Sequence, residues 1–238
     1  MPLAIETAGL TRSFETRLAV DAVDLRVPAG SIYGFLGPNG AGKTTTIRLL
    51  LGLLRPTRGK VLIYDDSLTP ASRHVLRGIG ALVEGPSLYP HLTGEENLDV
   101  TRRLLGLPRA AVTTSLELFD LTADAGRLVR TYSTGMRQSL ALALAWLGKP
   151  RLLVLDEPTN GLDPTATRAL RRLLRRSVEE NGATVFLSSH VLAEVEQVAD
   201  WIGIIHRGRL HYQAPLPELK QQARGSLEDF FMELVEAG

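Results

Sequence analysis

Gly37-Pro38-Asn39-Gly40-Ala41-Gly42-Lys43-Thr44 decides the reading of this 238-residue chain. Two glycines separated by four residues close on a lysine and a hydroxyl residue, the spacing of a phosphate-binding loop. Ile32–Leu36 before it reads as a buried strand, and residues 45–51 after it read as a helix with an apolar face. In that context the glycines let the backbone curl so that successive N–H groups point inward. Together with the helix N-terminus they form an anion receptor. Lys43 is expected to reach the β- and γ-phosphates of a nucleotide, and Thr44 to offer its hydroxyl to Mg²⁺. Thr45 is placed to touch an α-phosphate oxygen. Gly37, Pro38, Asn39, Gly40, Ala41 and Gly42 make the cradle itself.

Composition narrows the setting. The chain is 44% hydrophobic and 22% charged, carries a net charge of +1 and has no cysteine. Those values suit one large or two modest globular domains with a full core. They exclude a global field drawing the chain to nucleic acid or an anionic membrane, a disulfide framework and a thiolate metal site. The first six residues have neither the basic start nor the apolar core of a signal peptide. The longest apolar stretch, 140–148, is too short to span a bilayer.

Working outward from the loop, residues 4–7 and 22–27 read as strands of a half-exposed antiparallel sheet, followed by a turn at 28–30. Residues 60–64 and 79–83 read as further strands. Residues 93–147 turn helical, opened by the capping-box pattern Thr93-Gly94-Glu95-Glu96. Strand–helix alternation then returns, with strands at 151–155, 184–188 and 201–205 and helices at 165–180 and 191–199 between them. A turn at Arg207-Gly208 precedes a short returning strand at 209–211. The expected fold is α/β. It has a P-loop nucleotide-binding core over 1–84 and 150–215 that includes a small antiparallel β-subdomain. A helical subdomain is inserted over 85–149, and a helical tail follows over 216–238.

Leu152–Leu155 is continuously apolar and so reads as a strand buried on both faces. It delivers Asp156 and Glu157 at its carboxyl end, where ligands gather in open α/β sheets. Asp156 is expected to support a Mg²⁺ shell, and Glu157 to polarise an attacking water. Arg168, Arg171, Arg172, Arg175 and Arg176 crowd one helix opposite an apolar stripe of Leu170, Leu173, Leu174 and Val178. They are expected to form its solvated face.

Four further segments appear in the order found in the ATP-binding cassettes of ABC transporters, which the chain resembles over residues 3–212. Tyr132-Ser133-Thr134-Gly135-Met136-Arg137-Gln138 resembles the family's signature motif, with Thr134 and Met136 in place of its usual first Gly and Gln. Ser139 stands where many members carry Arg. Asn160-Gly161-Leu162-Asp163 resembles the D-loop, His190 the switch histidine, and Phe14 the aromatic that stacks on adenine. The resemblance implies the ABC ATPase architecture and an ATP hydrolase that binds ATP and Mg²⁺. It implies a head-to-tail dimer, expected to be of two copies, with two ATP molecules sandwiched between them. Ser133 and Gly135 would then meet the γ-phosphate held by the other subunit, and Asp163 would contact the interface. His190 would bond the γ-phosphate and orient Glu157. Read from the residues alone, Ser133 is also a helix N-cap worth about 1 kcal/mol, and Asp163 before Pro164 is a cap as well.

The same resemblance implies a separate membrane permease and a cytoplasmic location on the inner face of the membrane. The alternative is a soluble nucleic-acid-directed cassette ATPase. Such proteins usually carry two cassettes or long coiled-coil inserts, whereas this chain has one cassette and no sustained heptads. Where most cassettes carry Gln, at the end of the strand 79–83, this chain carries Glu84. That residue keeps an oxygen for Mg²⁺ or water and adds a charge beside Asp156 and Glu157, so a metal and a catalytic role are expected of it. The Glu form, with the residues that follow it, resembles cassettes of bacitracin-resistance and lantibiotic-immunity exporters, an exporter group of antibiotic resistance.

Overall fold

The computed structural model describes residues 1–222 and 227–237; 223–226 and 238, part of the expected tail, lie outside the described residues. The chain runs β1 (Leu3–Phe14), β2 (Arg17–Val23), β3 (Arg26–Pro28), β4 (Ile32–Leu36), α1 (Lys43–Leu50), β5 (Arg58–Ile63), β6 (Asp66–Ser67), β7 (Ile79–Leu82) and α2 (Gly94–Leu104). It continues through α3 (Ala110–Leu118), α4 (Thr134–Trp146), β8 (Leu152–Leu155), α5 (Pro164–Asn181), β9 (Thr184–Ser189) and α6 (Leu192–Glu196). β10 (Trp201–His206), β11 (Arg209–Pro215), α7 (Leu216–Gln222) and α8 (Leu227–Ala237) complete it.

Two sheets organise these elements. The first is antiparallel, in the order β2-β1-β5-β6 with β3 also paired to β1. The second runs β11-β10-β4-β9-β8-β7 and is parallel except for β11 at its edge. The expected single strand over 22–27 is broken. Thr7 Oγ1 donates to Val23 O at 2.7 Å and accepts from Leu25 N at 2.7 Å, so a side chain takes the bonds a ladder would have made. The chain turns there and passes from β2 to β3. β1 and β2 together extend through residues that the polar sequence at 11–17 did not mark as strand.

β4 shows why the core has two sides. Its side chains alternate across the pleat. Tyr33 and Phe35 point toward the antiparallel sheet, where they pack on Phe186 with ring centroids 5.5 and 5.3 Å apart. Ile47, Leu50 and Val61 join that layer. Ile32 and Leu36 point the other way, into a cluster with Leu142, Leu170, Leu174 and Val195 from α4, α5 and α6. Tyr33 is fully buried; burial pushes its phenol pKa up, and its hydroxyl donates to Gln213 Oε1 at 2.8 Å.

Helices α2, α3 and the outer side of α4 enclose a third cluster around Leu98, Val112, Leu116 and Leu140. The capping box at the start of α2 is formed in both directions. Thr93 Oγ1 accepts from Glu96 N at 3.2 Å, and Glu96 Oε2 accepts from Thr93 N at 2.7 Å. α7 buries Leu216 and Leu219 against the helical side of the main sheet. α8 adds Leu227, Phe230 and Phe231 to the same cluster.

The arginine-rich face of α5 departs from expectation at two positions. Arg175 Nη1 donates to Asp200 Oδ1 at 2.8 Å and its Nη2 to Val198 O at 2.6 Å, while Arg171 pairs with Gln197. These two are half-buried and fasten the segment after α6, whereas Arg168, Arg172 and Arg176 remain exposed. The segment needs such fastening, because α6 covers only five residues of the helix expected over 191–199.

Candidate nucleotide site

Strand order assembles the site. In the main sheet β4, β9, β8 and β7 lie side by side and all run in one direction. Their carboxyl ends therefore deliver, in spatial order, the glycine-rich loop, Ser188 to His190, Asp156 with Glu157, and Glu84. Residues far apart in sequence meet at this edge because the connections between parallel strands cross over the sheet.

The loop itself is shaped by sterics. Gly42 sits at φ 107, and a Cβ there would lie 2.6 Å from Ala19 O. A Cβ on Gly37 would lie 2.3 Å from Ile205 O. Both positions thus admit only glycine while the loop stays packed between β2 and the end of β10. The helix begins at Lys43, two residues earlier than the apolar pattern implied, so Lys43 and Thr44 lie in its first turn. Lys43 is buried, and its Nζ donates to Gly37 O at 2.7 Å and Pro38 O at 3.2 Å.

Two carboxylates follow β8 and have different partners. Asp156 is buried; its Oδ2 accepts from Thr44 Oγ1 at 2.7 Å and its Oδ1 from Ser188 Oγ at 2.6 Å. Ser188 Oγ in turn accepts from Glu157 N at 3.0 Å. Glu157 lies at φ 48, a left-handed backbone that costs a non-glycine residue energy and is held by such surrounding bonds. Its Oε1 pairs with Lys43 Nζ at 3.2 Å, and its Oε2 lies 2.9 Å from His190 Nδ1. Glu157 thereby bridges the loop lysine and the histidine at the end of β9. The apolar run marks Ser188 only as a strand residue; its role follows from the alignment of β9 with β8.

A groove of about 310 Å³ runs over the loop and is lined by Phe14, Arg17, Asn39, Gly40, Lys43, Thr44, Thr45 and Glu157, among others. Phe14 is exposed, with the Arg12 guanidinium 4.5 Å from the ring centroid. A second groove of about 360 Å³ adjoins it and is lined by Thr44, Glu84, Gln138, Asp156, Glu157 and Asn160. Glu84 borders this groove, and its carboxylate pairs with Arg48 of α1. Glu84 thus shares the groove with Thr44, Asp156 and Glu157 while its carboxylate is engaged by Arg48.

Ser133, Gly135 and Asp163 do not line the loop groove. Ser133 caps α4, accepting from Met136 N at 3.1 Å. Asp163 caps α5, accepting from Thr165 N at 2.8 Å and Ala166 N at 2.9 Å. The first turn of α4 and the segment before α5 approach closely, since a Cβ on Gly135 would lie 3.1 Å from Gly161 O. Ser133 is exposed, so the N-terminus of α4 faces outward from the chain that carries it.

Comparison with known proteins gives these motifs a setting. A family profile described as ABC transporter matches residues 20–160. The bacitracin transport ATP-binding protein BcrA of Bacillus licheniformis is 44% identical over 96% of this chain and 75% of its own length. The lantibiotic transport ATP-binding protein SrtF of Streptococcus pyogenes is 35% identical over 95% of both chains. The daunorubicin/doxorubicin resistance ATP-binding protein DrrA of Streptomyces peucetius is 42% identical over 91% of this chain and 67% of its own. A solved ATP-binding subunit of an ABC transporter superposes with a TM-score of 0.88 at 31% identity, covering 97% of this chain and 99% of that one.

Proposed function

The chain belongs to the ABC transporter family as an ATP-binding, ATP-hydrolysing subunit that powers a separate permease, and from that premise we propose that it drives export of a peptide antibiotic. The observation that carries the cargo class is the 44% identity with a bacitracin transport ATP-binding protein across nearly the whole chain. The 35% identity with a lantibiotic transport ATP-binding protein points the same way.

ATP lies along the loop groove, with adenine against Phe14 at one end and the phosphates on the loop N–H groups from Gly37 to Thr45. The triphosphate competes with Glu157 for Lys43, because both are anions and the ammonium is a single charge. As the phosphates take Lys43, the Glu157 carboxylate is freed to accept a proton from water. His190 holds the other carboxylate oxygen and keeps Glu157 oriented through that exchange. Thr44 Oγ1 and Asp156 Oδ2 present two hard oxygen donors at 2.7 Å from one another. Such a donor set suits Mg²⁺, which keeps several waters and takes its remaining ligands from phosphate. Bound there, Mg²⁺ would neutralise charge on the phosphates.

The exposed N-terminus of α4, with Ser133 and Gly135, is an anion receptor outside its own loop groove. It is supplied to the nucleotide of a second copy, with Asp163 and the residues before it at the seam. The chain works at the inner face of the membrane through its permease; among the described residues no helix is long and apolar enough to cross a bilayer. A susceptibility panel of a deletion strain, complemented with wild type or Lys43→Ala, tests the cargo. Hypersensitivity to bacitracin or a lantibiotic, rescued only by wild type, is expected. A second reading, export of an anthracycline, is favoured by the 42% identity with DrrA, so the panel includes daunorubicin. Hypersensitivity to daunorubicin alone would replace the first reading with the second.

A further inference from the structure

Glu84 and Arg48 form an ion pair at the border of the metal-side groove. Resting on ATP binding at the loop, we propose that Arg48 is a positioning residue: it holds the Glu84 carboxylate away from the phosphate end of the site and yields it when nucleotide and metal are bound.

Three observations place Arg48 for this. It lies four residues after Thr44 on α1, so the two share a helix face one turn apart. Glu84 follows β7, which pairs with β8 in register from Ile79 with Leu152 to Leu82 with Leu155, and Asp156 N donates to Leu82 O at 2.8 Å. Glu84 thus stands one strand away from Asp156 and borders a groove with Thr44, Asp156 and Glu157. Its backbone is at φ 63, the left-handed region, so the segment is committed to a sharp turn at this residue.

Charge explains why a cation is needed. A groove that already holds Asp156 and Glu157, and that must admit phosphates, disfavours a third carboxylate. Arg48 gives that carboxylate another partner. A neutral amide at this position would form no ion pair, so the arrangement is specific to Glu. Arg48 and Glu84 are 40% and 54% exposed, and exposed pairs contribute little to stability. The consequence of the pair is therefore where the carboxylate sits, and fold stability is nearly indifferent to it.

Binding of a fluorescent ATP analogue to the full chain, measured in EDTA and in Mg²⁺, tests this in a double-mutant cycle. The arms are wild type, Arg48→Ala, Glu84→Gln and the double variant. Loss of one positive charge, acting at a distance, weakens binding equally in both backgrounds. Release of Glu84 into the groove weakens metal-free binding by about threefold more in the wild-type background than in the Glu84→Gln background. Mg²⁺ should narrow that difference, and Arg48→Lys should stay within about twofold of wild type because it keeps the charge. Equal effects in both backgrounds, or no effect in either, would overturn the proposal. Should Arg48→Ala fail to fold, Arg48→Gln carries the same comparison. A wild-type chain that does not bind the analogue would instead remove the nucleotide reading beneath it.

Discussion

Lys43 binds the loop to itself as well as to an expected ligand. Its contacts to Gly37 O and Pro38 O close the cradle, and its pairing with Glu157 ties the cradle to β8. Lys43→Ala also removes the cation proposed to bond the phosphates, and a hydrogen bond to a charged group is worth about 1.5–3 kcal/mol. ATP affinity should fall about 10- to 100-fold, measured by isothermal titration; unchanged affinity would displace the site. Ser188 makes a separable prediction. Ser188→Ala removes the donor to Asp156 Oδ1 and the acceptor for Glu157 N. ATP hydrolysis should drop about tenfold through misplacement of both carboxylates, while ATP affinity stays within about threefold. A parallel fall in affinity and turnover would show that Ser188 acts on binding.

At the scale of elements, the capping box of α2 makes a pH prediction. Hydrogen bonds from the Thr93 backbone and side chain hold the Glu96 carboxyl below its ordinary value of 4.5. A carboxyl lowered in the folded state stabilises above its unfolded pKa, and that contribution is lost as pH falls through the lowered folded value. Glu96→Gln should therefore flatten the stability curve below about pH 4.5, as thermal melts between pH 5 and 3 would register, with little change in slope at neutral pH. Thr93→Ala should cost about 1 kcal/mol at pH 7 through the lost cap. The elements also show what a linear reading contains. The loop glycines, the buried β8 and the capping box announce themselves, because each is set by neighbours in sequence. The break between β2 and β3 does not, because Thr7 makes it from across the sheet. The roles of Arg171 and Arg175 depend on where α6 is carried by the crossover, and the Arg48–Glu84 pair depends on the placing of α1 relative to β7. Glu84 was legible as unusual, whereas its partner was legible only once the strands were in order.

In the whole molecule, the loop groove and the exposed start of α4 lie apart on one chain. The P-loop, Asp156, Glu157 and His190 converge at one edge of the sheet, while Ser133 and Gly135 open α4 outside that groove. Under the proposed function, a second copy turned head to tail would complete both sites at once, with closed two-fold symmetry and assembly that depends on ATP. Glu157→Gln leaves the Lys43 bonds to Gly37 O and Pro38 O in place and removes the carboxylate proposed to accept a proton, so hydrolysis should fall by about 10²- to 10⁴-fold while ATP remains bound. That variant should therefore accumulate the proposed closed dimer. The decisive measurement is sedimentation velocity of Glu157→Gln, with and without ATP and Mg²⁺. A monomer without nucleotide and a dimer with it are expected; a species that binds ATP and stays monomeric at every protein concentration would rule out the shared site.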